Sequence, residues 1–310
     1  MMQFGRHESF HLRSAWVYQG LNSIANNSKF FSQKDAHCQI GVGRNMVNAI
    51  RYWCQAFELI EAINPRKMGD GFVLTSLGRV ILEMDPYLED PFTEWILHYH
   101  LCTNLQAAPS FYWLFQDYAA KELIESKFVE NMLDYLKKEH PETKEPSEKI
   151  VSRDFKVIIK TYCNDLDEIS KSSTGEIDVQ DSPFSHLNLI HKVDGGHRIL
   201  MNIGPKLNLT PDAVAYAILK QSETDFRFKR NLSVGIEKLL WQNKGPGKCF
   251  NLDAESLLSH LEQIAASKLL GKMEINSTGG IHQVLLNTKK VIDPLDLLKA
   301  HYEGVLSEAC

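Results

Sequence analysis

Residues 35–57 hold the pattern that most limits what this chain can fold into: a short polar helix, the turn Gly41-Val42-Gly43, and a longer helix. In the second helix Met46, Ile50, Trp53 and Phe57 recur at intervals of four, three and four. That spacing stacks them on one apolar face, with Val47 and Cys54 at its edge. The opposite stripe, Arg44, Asn48, Arg51 and Gln55, with Asn45 and Tyr52 beside it, is polar without being acidic. Its side chains suit nucleic acid, because Arg can bridge guanine O6 and N7 and Asn can bridge adenine N6 and N7.

A helix, a tight glycine-containing turn and a second helix form the plan by which helix-turn-helix proteins enter the major groove. Leu59 to Ile63 is then a short apolar run, Asn64 to Gly71 has loop chemistry, and Phe72-Val73-Leu74 is a second short strand leading into a helix from Thr75. Two strands after the second helix make a wing. The sequence therefore predicts a winged helix-turn-helix with Arg44, Asn45, Asn48 and Arg51 toward DNA and Arg66 and Lys67 at the wing tip. The bland alternative is a winged helix that binds protein, its polar face simply solvated. A dinucleotide loop is not expected, because the third glycine of that motif would fall at Met46 and no buried strand precedes it.

The formal net charge of −5 argues against a protein that coats nucleic acid over its whole surface. The charge is uneven, however: residues 29–79 carry a net +3, which leaves −8 elsewhere. A local phosphate footprint needs such a basic segment. Cys38, Cys54, Cys102, Cys163, Cys249 and Cys310 include no C-x-x-C pair, which suits buried thiols in a reducing compartment better than a disulfide frame or a zinc site. With no basic-then-apolar leader and no apolar run of membrane-spanning length, a cytoplasmic protein without membrane contact is expected.

His7-Glu8-Ser9-Phe10-His11 fits the letters of H-E-x-x-H. It has no strong helix around it and no third ligand at a usual spacing, so hydrogen bonding of His7 and Glu8 to the body of the protein is the better expectation. Asp90 followed by Pro91 is an N-cap and N1 pair, and a helix should run from there to about Leu105, with Trp95, Leu97 or His98, and Leu101 inward. Glu94 and His98 lie one turn apart on it, and Asp85, Glu89 and Asp90 stand just upstream. Oxygen-rich groups of this kind suit magnesium or manganese. The competing expectation makes Asp90 a cap and Glu89 compensation of the helix dipole.

Two helices are expected over 109–120 and 126–138, the first dense in aromatic residues. Residues 138–149 are charged, contain Pro141 and Pro146 and lack an apolar face, which marks a linker. Beyond it the sequence predicts a helix over 153–163, a polar loop through 185, and a hairpin around Asp194-Gly195-Gly196. Capped helices should follow at Thr210 and Asp253, with another over 233–241. Gly245 to Phe250 reads as a tight turn into a short strand, and 273–286 as a second hairpin around Gly279-Gly280. The expected fold is mainly α with short β-hairpins (α+β): a winged helix-turn-helix with a helical extension over residues 1–137, and a second winged-helix-like domain over 150–310.

Four segments, His7-Glu-Ser-Phe10 with Arg13, Gly41 to Trp53, Asp85 to Asp90 with His98, and Gly245 to Phe250, resemble nearly end to end the SspB-type family of bacterial DNA phosphorothioation operons. One departure is Gly245-Pro-Gly where Ser-Pro-Gly is expected. The resemblance implies double-stranded DNA as substrate, operon partners that include a cysteine desulfurase and a sulfur-activating ATPase, and strand nicking that precedes sulfur incorporation. Joined to the acid cluster, it makes Asp85 and Glu89 the expected ligands of magnesium or manganese, Asp90 a third acid, and His98 the expected base or acid. No organic cofactor is expected, and a homodimer is left open. The rival readings are a non-catalytic DNA-reading subunit and a transcription regulator.

Overall fold

Apolar periodicity and capping account for most of the helices. In the computed structural model, which describes residues 2–163, 182–226, 231–267, 273–278, 281–287 and 293–308, helix α1 (Ser14–Asn26) buries Trp16, Val17, Leu21 and Ile24. It lies against α3 (Arg44–Ala56). The one-turn helix α2 (Ala36–Gln39) precedes α3, and the chain reverses between them through Gly41, whose φ of +68° disfavours any residue with a Cβ. Strands β1 (Ile60–Ala62) and β2 (Phe72–Leu74) pair antiparallel with Ile60 opposite Leu74 and Ala62 opposite Phe72. Helix α4 (Ser76–Met84) follows, capped by the Thr75 hydroxyl, which accepts from the Gly78 N–H at 3.0 Å. A Cβ at Gly78 would overlap the Leu59 carbonyl, so only glycine lets α4 approach the ribbon this closely.

Helix α5 (Pro91–Thr103) is the centre of the molecule. Every residue from Phe92 to Cys102 is buried, a wider burial than the single inward stripe that the sequence suggests. The reason is its neighbours: α6 (Pro109–Gln116), α9 (Pro211–Phe226) and the one-turn helix α11 (Pro246–Cys249) all lie on it. Helices α7 (Glu125–Glu139) and α8 (Glu148–Tyr162) pack against each other. Residues 140–147 connect them; of the charged segment 138–149, Lys138 and Glu139 lie inside α7 and Glu148 and Lys149 inside α8. One contiguous apolar core runs from Leu12 through Trp53, Trp95 and Tyr162 to Tyr302.

Strands β3 (Ile190–Val193) and β4 (Arg198–Met201) form the expected hairpin around Asp194-Gly-Gly196, with Gly195 and Gly196 both at positive φ. The segment over 233–241 divides: β5 (Asn231–Gly235) comes first and the short helix α10 (Ile236–Trp241) second. Gly245 to Phe250 is not a turn into a strand. Gly245 is the N-cap and Pro246 the first residue of α11, a position where proline's missing N–H costs nothing. Helix α12 (Ala254–Ala266) is capped by Asp253. Strands β6 (Met273–Thr278) and β7 (Ile281–Asn287) are joined by β5 in a three-stranded antiparallel sheet of order β5-β7-β6. The Gly279-Gly280 turn and the polar loop over 164–181 lie outside the described residues. The last helix, α13 (Pro294–Glu308), packs on α4 and α9, returning the end of the chain to its N-terminal third. Among the described residues no helix is long and apolar enough to cross a membrane.

Candidate nucleic-acid interface and acid–imidazole cluster

The face that α3 turns to the core is set by Val47, Ile50, Trp53 and Cys54, all buried. Tyr52 is buried with them, its ring edge on Trp53 and on His7, so it belongs to the core rather than to the polar stripe. Arg44 and Asn45 are exposed at the helix start, while Asn48 and Arg51 are half-buried. Burial and the nearby Arg6 hold the Arg51 guanidinium below its ordinary pKa, with Glu8 opposing them. At the ribbon tip Arg66 and Lys67 are exposed, and Lys67 lies 3.4 Å from Asp70. The outward cations are therefore Arg44, Arg66 and Lys67; Arg51 is drawn into the N-terminal segment.

That segment is anchored by an imidazole. Ser9 N–H donates to His7 Nδ1 at 3.1 Å, which leaves the proton on Nε2 to be donated to Asp154 at 2.8 Å. Asp154 also accepts from Gly5 N–H and from the Ser110 hydroxyl. Glu8 and Ser9 have φ of +51° and +69°, so His7 and His11 do not share the helix that a zinc-binding H-E-x-x-H needs.

The acids at the start of α5 form a cluster, but not around His98. Asp90 caps α5 by accepting from Phe92 N–H at 2.8 Å, and its other oxygen lies 3.0 Å from His301 Nε2. His301 Nδ1 is 2.8 Å from Asp212, and the ring stacks on Phe92 at 3.9 Å. Burial alone would favour a neutral ring, but the hydrogen bonds and charges of Asp212 and Asp90 outweigh it and raise the His301 pKa to about 9. The ring is thus an imidazolium at neutral pH, donating from both nitrogens. Burial also works against an ionised Asp90, yet His301 and the Phe92 N–H hold its carboxyl below the usual range. Neighbouring Glu94 goes the other way: burial, then the charges of Asp85 and Asp90, raise its pKa to about 8.

Asp85 is buried and satisfied. It accepts from Glu89 N–H at 2.8 Å, from Asp90 N–H at 3.1 Å and from the Thr93 hydroxyl. Since Thr93 donates to the carboxylate, Tyr302 donates to Thr93 and ties α13 to the same corner. Glu89 is exposed beside it. With both Asp85 oxygens turned to N–H and O–H donors, Asp85 and Glu89 do not fit a divalent cation as they stand. Among the described residues no group of three or more His, Cys, Asp or Glu is arranged to hold a metal ion.

His98 is a core group and not the expected proton carrier. It is fully buried among Phe115, Tyr162 and Phe184. Its Nε2–H donates to the Cys249 carbonyl at 2.6 Å, so Nδ1 accepts from the Tyr162 hydroxyl at 2.7 Å. Burial lowers its pKa to about 4 against the opposing pull of that carbonyl. A neutral ring with both nitrogens used and no exposed atom has nothing to offer a bound strand. His301, which replaces it beside Asp90, lies 211 residues from Asp90 and 89 from its second partner Asp212 in sequence. No local pattern could have joined them.

A family model described as a protein of unknown function (DUF4007) matches residues 4–302. No curated protein matches the chain. Two solved structures are similar over nearly all of it, a crystal structure of SspB and a magnesium-ion-bound crystal structure of SspB. Each is 26% identical, covers 99% of this chain and 90% of the other, and superposes with a TM-score of 0.83. The chain belongs to the DUF4007 family, and within it to the SspB-type proteins.

Proposed function

We propose that this protein is the DNA-contacting, strand-nicking component of a DNA phosphorothioation system, working with the cysteine desulfurase and the sulfur-activating ATPase of that system. The observation that carries the DNA contact is the outward presentation of Arg44 and Asn45 at the start of α3, on a helix whose other face is locked in the core. We read α2, α3 and the β1–β2 ribbon as a winged helix whose ribbon tip adds Arg66 and Lys67. Arg44 suits a guanine edge or a phosphate, and Asn45 an adenine edge; Arg66 and Lys67 suit phosphates.

Nicking is supported by the SspB-type likeness. One such relative binds magnesium, so magnesium is the cation to supply in an assay, with manganese as a second. Asp85 as it stands accepts from the Glu89 and Asp90 backbone N–H groups, and Glu89 is exposed beside it. The binding half is tested by titrating duplex DNA against the wild type and Arg44→Ala/Lys67→Ala at several salt concentrations. Each lost phosphate contact should lower the log–log salt slope by about one unit. An unchanged affinity and slope would move the DNA surface away from α3 and the ribbon.

A further inference from the structure

Glu58, His100 and Tyr216 come from three separate elements and meet in one line. His100, on α5, has Nδ1 2.8 Å from Glu58 Oε2 and Nε2 2.7 Å from the Tyr216 hydroxyl. With Glu58 ionised, the Nδ1 proton is donated to it, and Nε2 accepts from Tyr216. This is the arrangement of nucleophile, base and orienting anion that activates a hydroxyl in covalent catalysis. The buried His100 and Tyr216 and the half-exposed Glu58 line a cavity of about 400 Å3 between the back of the ribbon, α5, α9 and the start of α13. Lys220 lies one turn beyond Tyr216 on α9 and lines the same cavity, together with Thr75 and Ser76.

Glu58 occupies its place against local preference. Helix α3 ends in a Schellman motif: Leu59 N–H bonds to the Cys54 carbonyl at 2.8 Å and Glu58 N–H to the Gln55 carbonyl at 3.0 Å. The residue after the cap in this motif takes the left-handed conformation and is usually glycine. Glu58 takes it at φ +58°, a region that residues with a Cβ rarely adopt. Its carboxylate meets His100, and Thr75 holds its carbonyl at 2.7 Å. Partial burial raises the Glu58 pKa, but the hydrogen bond from His100 and the charges of Lys220 and Lys244 outweigh it and keep the acid ionised. A non-glycine residue in a strained conformation, aimed at a histidine in a cavity, points to chemistry more than to folding.

We propose that Tyr216 is the nucleophile toward a phosphodiester, with His100 as its base, Glu58 orienting the imidazole, and Lys220 countering the phosphate charge. The proposal rests on the nicking reading and names its reacting atoms. The Tyr216 oxygen forms a bond to phosphorus while its proton moves to His100 Nε2. The bond from phosphorus to the departing deoxyribose oxygen breaks, and that oxygen takes the proton from the imidazolium. The result is a phosphotyrosine on one strand end and a free hydroxyl on the other, with no oxidant or reductant required. Glu61 and Asp293 sit exposed at the cavity rim, where water and salt screen their repulsion of a strand.

The test uses the full-length protein, with magnesium present and absent, and thymidine 5′-(p-nitrophenyl phosphate), a phosphodiester small enough for the cavity. A burst of p-nitrophenolate approaching one equivalent per chain is expected, with the nucleotide mass found on the peptide that contains Tyr216. Tyr216→Phe, near-isosteric, should abolish the burst and keep its DNA affinity, and His100→Ala should slow it by about 10²-fold or more. No burst from the wild type, an adduct on another residue, or an unchanged burst in Tyr216→Phe overturns the assignment. The adduct map on the wild type decides the matter even if a variant fails to fold. Plasmid nicking run alongside separates the two claims. A burst without nicking supports the Tyr216 site and removes the strand-nicking reading, whereas nicking at the wild-type rate by Tyr216→Phe overturns the site and leaves that reading standing.

Discussion

Helices α3 and α5 have the same length, thirteen residues each, and opposite surroundings. Helix α3 has a dry side and a wet side, so its outward Arg44 and Asn45 have no fixed task within the fold. Helix α5 is buried over eleven consecutive residues, and the imidazoles it carries are bonded to distant groups: His98 to Tyr162 and Cys249, His100 to Glu58 and Tyr216. The comparison teaches how a polar residue should be weighed. On an amphipathic helix an outward polar stripe is free to meet a ligand. On a buried helix each polar group must be matched within the protein, because an unmatched one costs about 1–3 kcal/mol, and it becomes a candidate for chemistry only where its network opens on a cavity. His100 meets that condition and His98 does not.

The contrast is most open to breakage at His98. His98→Ala would leave the Tyr162 hydroxyl and the Cys249 carbonyl without partners and open a void among aromatic rings. A loss of roughly 3 kcal/mol is expected in urea unfolding. A loss below about 1 kcal/mol would show that this buried network is not what holds α5 in place.

Next in size is the Asp90–His301–Asp212 clamp, which ties α13 to α5 and α9. His301→Ala should cost about 2 kcal/mol, much of it from two half-buried carboxylates left without their cation. The clamp also sets a pH signature. His301 holds its proton more tightly in the folded state than its ordinary value of 6.5, so its stabilisation is complete below that pH and lost as pH rises through about 9. Asp90 has the opposite sign: its folded pKa is depressed, so its share is present above the usual carboxylate range and lost on acidification. Wild-type stability should therefore fall on both sides of neutrality, and the alkaline fall should vanish in His301→Ala. An alkaline limb that persists in the variant would assign it to another group.

The acids before α5 give a smaller effect with a sharper meaning. Asp85→Asn with Glu89→Gln removes charge from a carboxylate that binds two backbone N–H groups. A stability loss on the order of 1 kcal/mol is expected, as for a lost cap, with DNA affinity unchanged. If a folded double variant that still binds DNA lost magnesium-dependent nicking of supercoiled plasmid, these acids would be metal ligands after all. Smallest of all is Arg44→Ala/Asn45→Ala. It should move the melting free energy by less than about 0.5 kcal/mol while weakening DNA binding. A large stability change would mean that these side chains serve the fold.

The local patterns were legible in the sequence. The core stripe of α3, the turn at Gly41, the ribbon that follows, the Asp90-Pro91 start of α5 and the Asp194-Gly-Gly196 hairpin all depend on residues within a few positions of one another. Backbone geometry alone relates such neighbours, through the 3.6-residue helix repeat and the two-residue strand repeat. Errors arose where tertiary contacts outweighed periodicity. Tyr52 lies beside the polar stripe in the helical repeat but is buried against His7. Gly245 to Phe250 has turn residues but forms a short helix lodged against α5. The candidate sites divide in the same way. Arg44, Asn45, Arg66 and Lys67 could be proposed from spacing and are outward. The partners of Asp90, His98 and His100 could not, since His301, Tyr162 and Tyr216 reach them from 211, 64 and 116 residues away. A side chain's period is set by its own helix, but the partner of a buried imidazole is chosen by whichever distant element packs over it. For that reason the sequence by itself determined where this chain turns a basic helix outward, and only the tertiary structure decided which of its histidines is a core group, which a clamp and which lies between a carboxylate and a tyrosine.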